Sequence, residues 1–198
     1  MEGKSSLTKV PLSLKFGDFT LKSGEKSPFY LDLRLLRSFP ELLHAGANIL
    51  YKLTVQGPPF DRIADVPTAA TPFVAVISVL YNLPMISPRE AKGHGTQATI
   101  EGVYHAGMKV RLIDDLITKA TSKLESISAL KSRGLIVEEV CVIIDREQGG
   151  REELAKAGYS LQAAFTAREL IERCYRTGAI SGKQFAEVMS YLDSQVVK

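Results

Sequence analysis

Cysteine is scarce, with two residues, Cys141 and Cys174, in a chain of 198. Two isolated cysteines, one of them inside an apolar run, exclude a disulfide framework and a cysteine-based zinc site. They suit the reduced residues of a cytoplasmic protein. The three histidines, His44, His94 and His105, lie too far apart for a local metal motif. No apolar run is long enough to span a bilayer, and the first residues lack the apolar core of a signal peptide. Internal repeats, low-complexity tracts and charge blocks are missing as well. Collagen-like, disordered and membrane classes are therefore excluded. Charge of one sign is also in short supply: 25 Lys and Arg against 22 Asp and Glu leave +3. So mild an excess suits a small anionic ligand as well as nucleic acid and decides nothing alone.

What is present is the composition of a soluble globular protein, 45% hydrophobic and 24% charged, in a single domain over residues 1–198 that can bury its own core. Residues 1–37 are mixed and carry a polar stretch at 22–28. Ser38, Pro40 and Glu41 form a helix-start pattern, and Gly57-Pro58-Pro59 stops that helix. Arg62 to Val66 reads as a strand, Pro72 to Tyr81 as a buried helix, and Pro84 to Ser87 as a short strand. Arg89 to Gly107 is a polar, glycine-rich connection of the length usually kept for function. Lys109 to Asp114 and Val137 to Asp145 read as strands. Ser122 and Glu125 form a capping box for a helix ended by Gly134. Arg151 to Ala157 is a short helix. Thr166 with Glu169, and Ser181 with Gln184, open the last two. Strands alternating with helices predict an α/β domain with a mainly parallel central sheet flanked by helices. Ligands of such sheets bind beyond the carboxyl ends of the strands.

The strongest local signal runs from Val110 to Ser122. An apolar strand ends in Asp114 and Asp115; a hydroxyl-rich loop, Thr118 to Ser122, follows, and then a helix. Free N–H groups at a helix start, with hydroxyl donors beside them, suit a phosphate. Two carboxylates next to a phosphate site fit ribose hydroxyls or a divalent cation. A bare Asp-Asp pair could simply cap a helix and face water. The full strand, loop and helix context points instead to a phosphorylated sugar.

That segment resembles the phosphoribosyl diphosphate (PRPP) motif of type I phosphoribosyltransferases. Three further stretches are similar to the orotate phosphoribosyltransferase family: Phe16 to Gly24 with Ser27-Pro28, Arg89 to Thr96 with Ile100-Glu101-Gly102, and Ile144 to Arg151. The resemblance implies the type I phosphoribosyltransferase fold, with an N-terminal hood over residues 1–37 and a mobile catalytic loop over 88–107. It implies transfer of a phosphoribosyl group from PRPP to orotate, giving orotidine 5′-monophosphate and pyrophosphate in pyrimidine synthesis. Lys92 and His94, with Arg89, would meet the leaving pyrophosphate. Asp114 and Asp115 would hold the ribose hydroxyls and help place Mg²⁺, itself held mainly by PRPP and met through water. The run Leu116, Ile117, Thr118, Lys119, Ala120, Thr121 and Ser122 would cradle the 5′-phosphate. Arg146 would face orotate with Lys22, Ser23 and Thr118, and Lys22 would also contact PRPP. A homodimer sharing loop 88–107 between subunits is implied, and so is fusion or association with orotidylate decarboxylase.

Three positions depart from the family pattern near expected phosphates: Ala120 for the usual glycine, Asp65 in the pyrophosphate loop, and Pro88 before Arg89. They motivate an alternative, a PRPP- or nucleotide-binding paralogue with weak or no catalysis. A nucleic acid is not expected as a partner, because no helix-turn-helix or strongly basic helix precedes the domain, and no membrane is expected, for want of a bilayer-length apolar run.

Overall fold

The computed structural model describes residues 14–20, 26–89 and 100–196. The chain opens with a two-stranded antiparallel hairpin, β1 (Leu14–Thr20) and β2 (Lys26–Leu31). A short 3-10 helix over Leu33–Ser38 leads into α1 (Pro40–Thr54). Then follow β3 (Arg62–Asp65), α2 (Thr71–Tyr81), β4 (Met85–Pro88), β5 (Ile100–Glu101), β6 (Lys109–Ile117), α3 (Thr121–Lys131) and β7 (Ile136–Asp145). The chain continues through α4 (Gly150–Lys156), β8 (Ser160–Thr166), α5 (Ala167–Arg176) and α6 (Gly182–Val196).

The central sheet has the order β5-β4-β3-β6-β7-β8. Every pairing in it is parallel except β4 with the two-residue β5. The middle strands β6 and β7 are buried along most of their length because both their faces are covered. One cluster on the sheet includes Leu50 of α1, Phe73 and Ile77 of α2 and Val188 and Leu192 of α6. Another includes Ile127 and Leu130 of α3 and Leu154 of α4. The hairpin is tied to the C-terminal helix: Phe29 and Tyr191 meet edge to face at 6.2 Å, and Tyr191 accepts a 2.7 Å hydrogen bond from Gln148 Nε2.

Most expected element boundaries agree with the structure; four of the expected features differ. The helix start at Ser38 is displaced, since Ser38 ends the 3-10 helix and Phe39 stands at the α1 cap with Pro40 first inside. The apolar α2 is not buried throughout, for Val79 is 83% exposed. Strand β6 runs on to Ile117, so Asp114 and Asp115 lie within it rather than at its end. The capping box at Ser122 and Glu125 does not form: α3 begins at Thr121 and its cap, Ala120, has no capping side chain. The hairpin strands and β8 had no counterpart in the sequence reading. By contrast, Thr166 and Glu169 close a reciprocal capping box, and Ser181 and Gln184 exchange hydrogen bonds across the start of α6.

Candidate active site

Strands β6 and β7 carry the polar groups, and their carboxyl ends lie side by side because Ile117 pairs with Asp145. Asp114 and Asp115 are both buried. Asp114 Oδ1 accepts the Asp115 N–H at 2.8 Å, and Asp115 Oδ1 accepts the Leu116 N–H at 2.8 Å. Lys123, from the first turn of α3, pairs with Asp114 Oδ2 at 2.5 Å and donates to the Leu116 carbonyl at 2.6 Å. Burial pushes the Asp115 carboxyl up to about 7, with the Asp114 charge and hydrogen bond adding to the rise and Lys123 opposing it.

Leu116 and Ile117 are strand residues with occupied backbone groups, not loop residues. Besides the bonds above, the Ile117 carbonyl accepts the Arg146 N–H at 2.9 Å. The turn proper is Thr118 to Ala120, with Thr118 half-buried, Lys119 exposed and Ala120 buried. Ala120 has φ −82° and ψ −3°, ordinary right-handed backbone. Glycine's conformational freedom is therefore not needed at this position. The Ala120 N–H donates to Glu153 Oε2 of α4 at 2.7 Å. Thr121 and Ser122 are exposed on the first turn of α3.

Asp145 shapes the neighbouring turn. Its Oδ1 accepts the Glu147 N–H and its Oδ2 accepts Arg151 Nε, each at 2.9 Å. Gly149 takes φ +88°, a left-handed conformation that suits glycine, and the Lys119 ammonium lies 3.4 Å from where a Gly149 Cβ would stand. The Gly150 N-terminus of α4 packs so closely on Ile117 and Thr118 that a Cβ there would fall 2.7 Å from the Thr118 carbonyl oxygen.

Arg146 is 2% exposed and stacks over the Phe29 ring of the hairpin at 4.4 Å. Its Nη2 has a long 3.4 Å hydrogen bond to Ser27 Oγ, and its Nε has no hydrogen-bond partner. Burial pulls the guanidinium below its ordinary range. A buried guanidinium so thinly satisfied is costly unless a ligand completes it.

The other expected positions are distributed as follows. Arg89 Nε pairs with Glu101 Oε1 at 2.8 Å. Pro88 is buried in β4 opposite Ile100. Asp65 is wholly buried and accepts the Thr71 hydroxyl, so its carboxyl does not face solvent beside the 66–70 loop. Arg37 Nη2 braces that loop through the Thr68 carbonyl at 3.2 Å. Lys22, Ser23, Lys92 and His94 lie outside the described residues. Among the described residues, no group of three or more His, Cys, Asp or Glu side chains is placed to hold a metal ion.

Lys123, Glu153 and Arg37 were not singled out from the sequence. A lysine in the first turn of a helix opposes the helix dipole, and that local conflict is the one signal that could have marked Lys123. Glu153 lies 33 residues from its partner, beyond any local pattern.

Three comparisons bear on this arrangement. The Leishmania donovani UMP synthase structure superposes with a TM-score of 0.85 at 38% identity, over 92% of this chain and 40% of that one. The fold is thus that of the type I phosphoribosyltransferases. An orotate phosphoribosyltransferase of Methanocella arvoryzae is 38% identical over 160 residues, 80% of this chain and 90% of that protein. A bifunctional enzyme PyrF/PyrE of Nostoc sp. is 37% identical over 177 residues, 87% of this chain but 36% of the longer protein. No protein-family model matches the chain. The chain belongs to the orotate phosphoribosyltransferase family, phosphoribosyl-transferring enzymes of UMP synthesis. It spans well under half of the bifunctional relatives and most of the single-function ones.

Proposed function

We propose that this chain transfers the phosphoribosyl group of PRPP to orotate, releasing pyrophosphate and orotidine 5′-monophosphate. The observation that carries the reading is Arg146, a buried guanidinium with an unpartnered Nε next to the acidic pair's strand. Its planar fork suits a carboxylate-bearing, planar base. The acidic pair and the turn from Thr118 to Ser122, on the adjoining strand end, suit a ribose phosphate.

In this reading Asp114 and Asp115 serve the ribose hydroxyls, and the N–H groups and hydroxyls from Thr118 to Ser122 serve the 5′-phosphate. Lys22, Ser23 and Thr118 join Arg146 around orotate. Lys92, His94 and Arg89 meet the leaving pyrophosphate. The protein positions two anions and stabilises developing charge, with no covalent intermediate asked of it. Mg²⁺ fits as a hard cation among oxygen donors. It would be carried mainly by PRPP and met through water by Asp114 and Asp115, and it would neutralise the pyrophosphate.

The working unit is a homodimer in which each loop 88–107 serves the neighbouring site. Residence in the cytoplasm is supported by two free cysteines, Cys141 buried and Cys174 half-buried. The longer bifunctional relatives support association with orotidylate decarboxylase. A spectrophotometric assay with orotate, PRPP and Mg²⁺ tests the reading: orotate absorbance falls only when all three are present. Persistence of orotate in the complete mixture would contradict it.

A further inference from the structure

Lys123 is unusual in three respects. It stands in the first turn of α3, where the exposed N–H groups already carry partial positive charge. The residue is 4% exposed, and lysine is rarely buried unless paired. Both of its acceptors come from β6, and they flank Asp115 in sequence: Asp114 Oδ2 at 2.5 Å and the Leu116 carbonyl at 2.6 Å.

The two carboxylates are consequently unlike. Asp114 has an internal counter-ion on Oδ2, and its Oδ1 is occupied by the Asp115 N–H. Both of its oxygens are thus engaged inside the protein. Asp115 accepts the Leu116 N–H at Oδ1. Arg34 of the 3-10 helix, whose charge interacts with that of Asp115, is bound to Asp32 through Nε at 2.7 Å and Nη2 at 2.9 Å. A buried, hydrogen-bonded ammonium is the type of group that fixes a neighbouring carboxylate in one orientation.

We propose that Lys123 is a positioning residue for ribose recognition, an internal ammonium that locks Asp114 into the strand and leaves Asp115 as the carboxylate offered to the ribose hydroxyls. This rests on the proposed phosphoribosyl site and deepens it. Within the acidic pair that serves the ribose hydroxyls, Lys123 then acts through Asp114 and the β6 backbone, and Asp115 makes the direct contact.

The test uses ribose 5-phosphate and inorganic phosphate as probes in calorimetry on the full chain. Ribose 5-phosphate carries the hydroxyls and the 5′-phosphate and has no diphosphate, so Mg²⁺ is not needed. Lys123→Met should weaken ribose 5-phosphate binding roughly tenfold or more and leave inorganic phosphate within about twofold of wild type. Lys123→Gln, which keeps a donor and loses the charge, should behave likewise. Unchanged ribose 5-phosphate binding in the variants overturns the proposal. Equal weakening of both probes also overturns it, because the lysine then only supports the loop. Failure of both variants to fold overturns it for the same reason. A wild-type protein that binds neither ribose 5-phosphate nor PRPP contradicts the proposed function itself, a separate outcome.

Discussion

Glu153 Oε2 accepts the Ala120 N–H at 2.7 Å. A carboxylate from α4 thus holds the backbone just before α3, at the turn where the 5′-phosphate is proposed to bind. Two effects oppose each other there. The carboxylate satisfies the backbone N–H of the cap residue itself, a charge-assisted hydrogen bond worth about 1.5–3 kcal/mol. It also occupies an N–H and repels a phosphate. Glu153→Ala is expected to bind inorganic phosphate several-fold more tightly while its urea midpoint falls. Weaker phosphate binding, measured by calorimetry, would show that Glu153 supports the cradle instead of competing for it.

Arg146 leads to a second expectation. Arg146→Ala removes the buried guanidinium over Phe29. Charge-assisted hydrogen bonds are worth about 1.5–3 kcal/mol. The variant should raise the KM for orotate by roughly ten- to a hundredfold, at about 1.4 kcal/mol per tenfold. PRPP affinity should change little. Steady-state kinetics with each substrate varied in turn checks this, and a loss shared equally by both substrates would count against the assignment.

Much of the frame was legible because its signals are local. Thr166 and Glu169 sit three apart and cap α5, and the pattern Phe185, Val188, Met189 and Leu192 marks the face of α6 that packs on the core. The site was legible as composition, two acids and a hydroxyl loop, but not as geometry. Asp114 and Asp115 read as the end of a strand because carboxylates are rarely buried. In the fold β6 continues past them, since Lys123 offsets the charge of Asp114 from nine residues away. Strand β8 escaped notice because it is a sheet edge whose burial alternates weakly: Leu161 is buried, while Phe165 remains 41% exposed. At two of the departures from the family pattern, Ala120 has ordinary right-handed backbone and Asp65 is buried against Thr71.

Asp115 makes stability depend on pH. Its carboxyl is pushed up from 3.8 to about 7 in the fold, chiefly by burial. The folded state therefore binds this proton more tightly than the unfolded chain does. The contribution is fully present below about pH 4 and is lost as pH rises through about 7. Asp115→Asn removes that dependence. The variant should gain stability relative to wild type on going from about pH 5 to about pH 8. Urea midpoints at the two pH values measure the gain, and an equal difference at both would contradict the assigned shift.

The shared loop calls for a mixing experiment. Lys92→Ala should lower kcat strongly and leave orotate binding largely intact. Asp115→Asn should be impaired in the other half of the site. If loop 88–107 serves the neighbouring subunit, mixing the two weak variants creates heterodimers with one complete site. Activity should then recover to roughly a quarter of wild type. Activity that stays at the average of the two variants would place each loop over its own subunit's site.

Transfer to orotate is what separates this chain's proposed activity from transfer to other bases. The most direct measurement incubates the wild-type protein with PRPP and Mg²⁺, and with orotate, uracil or adenine in parallel vessels, and identifies the nucleotide products by mass spectrometry. The expected result is orotidine 5′-monophosphate with pyrophosphate in the orotate vessel and no nucleotide in the others. A nucleotide from adenine or uracil but not from orotate, or none from any base, would contradict the account.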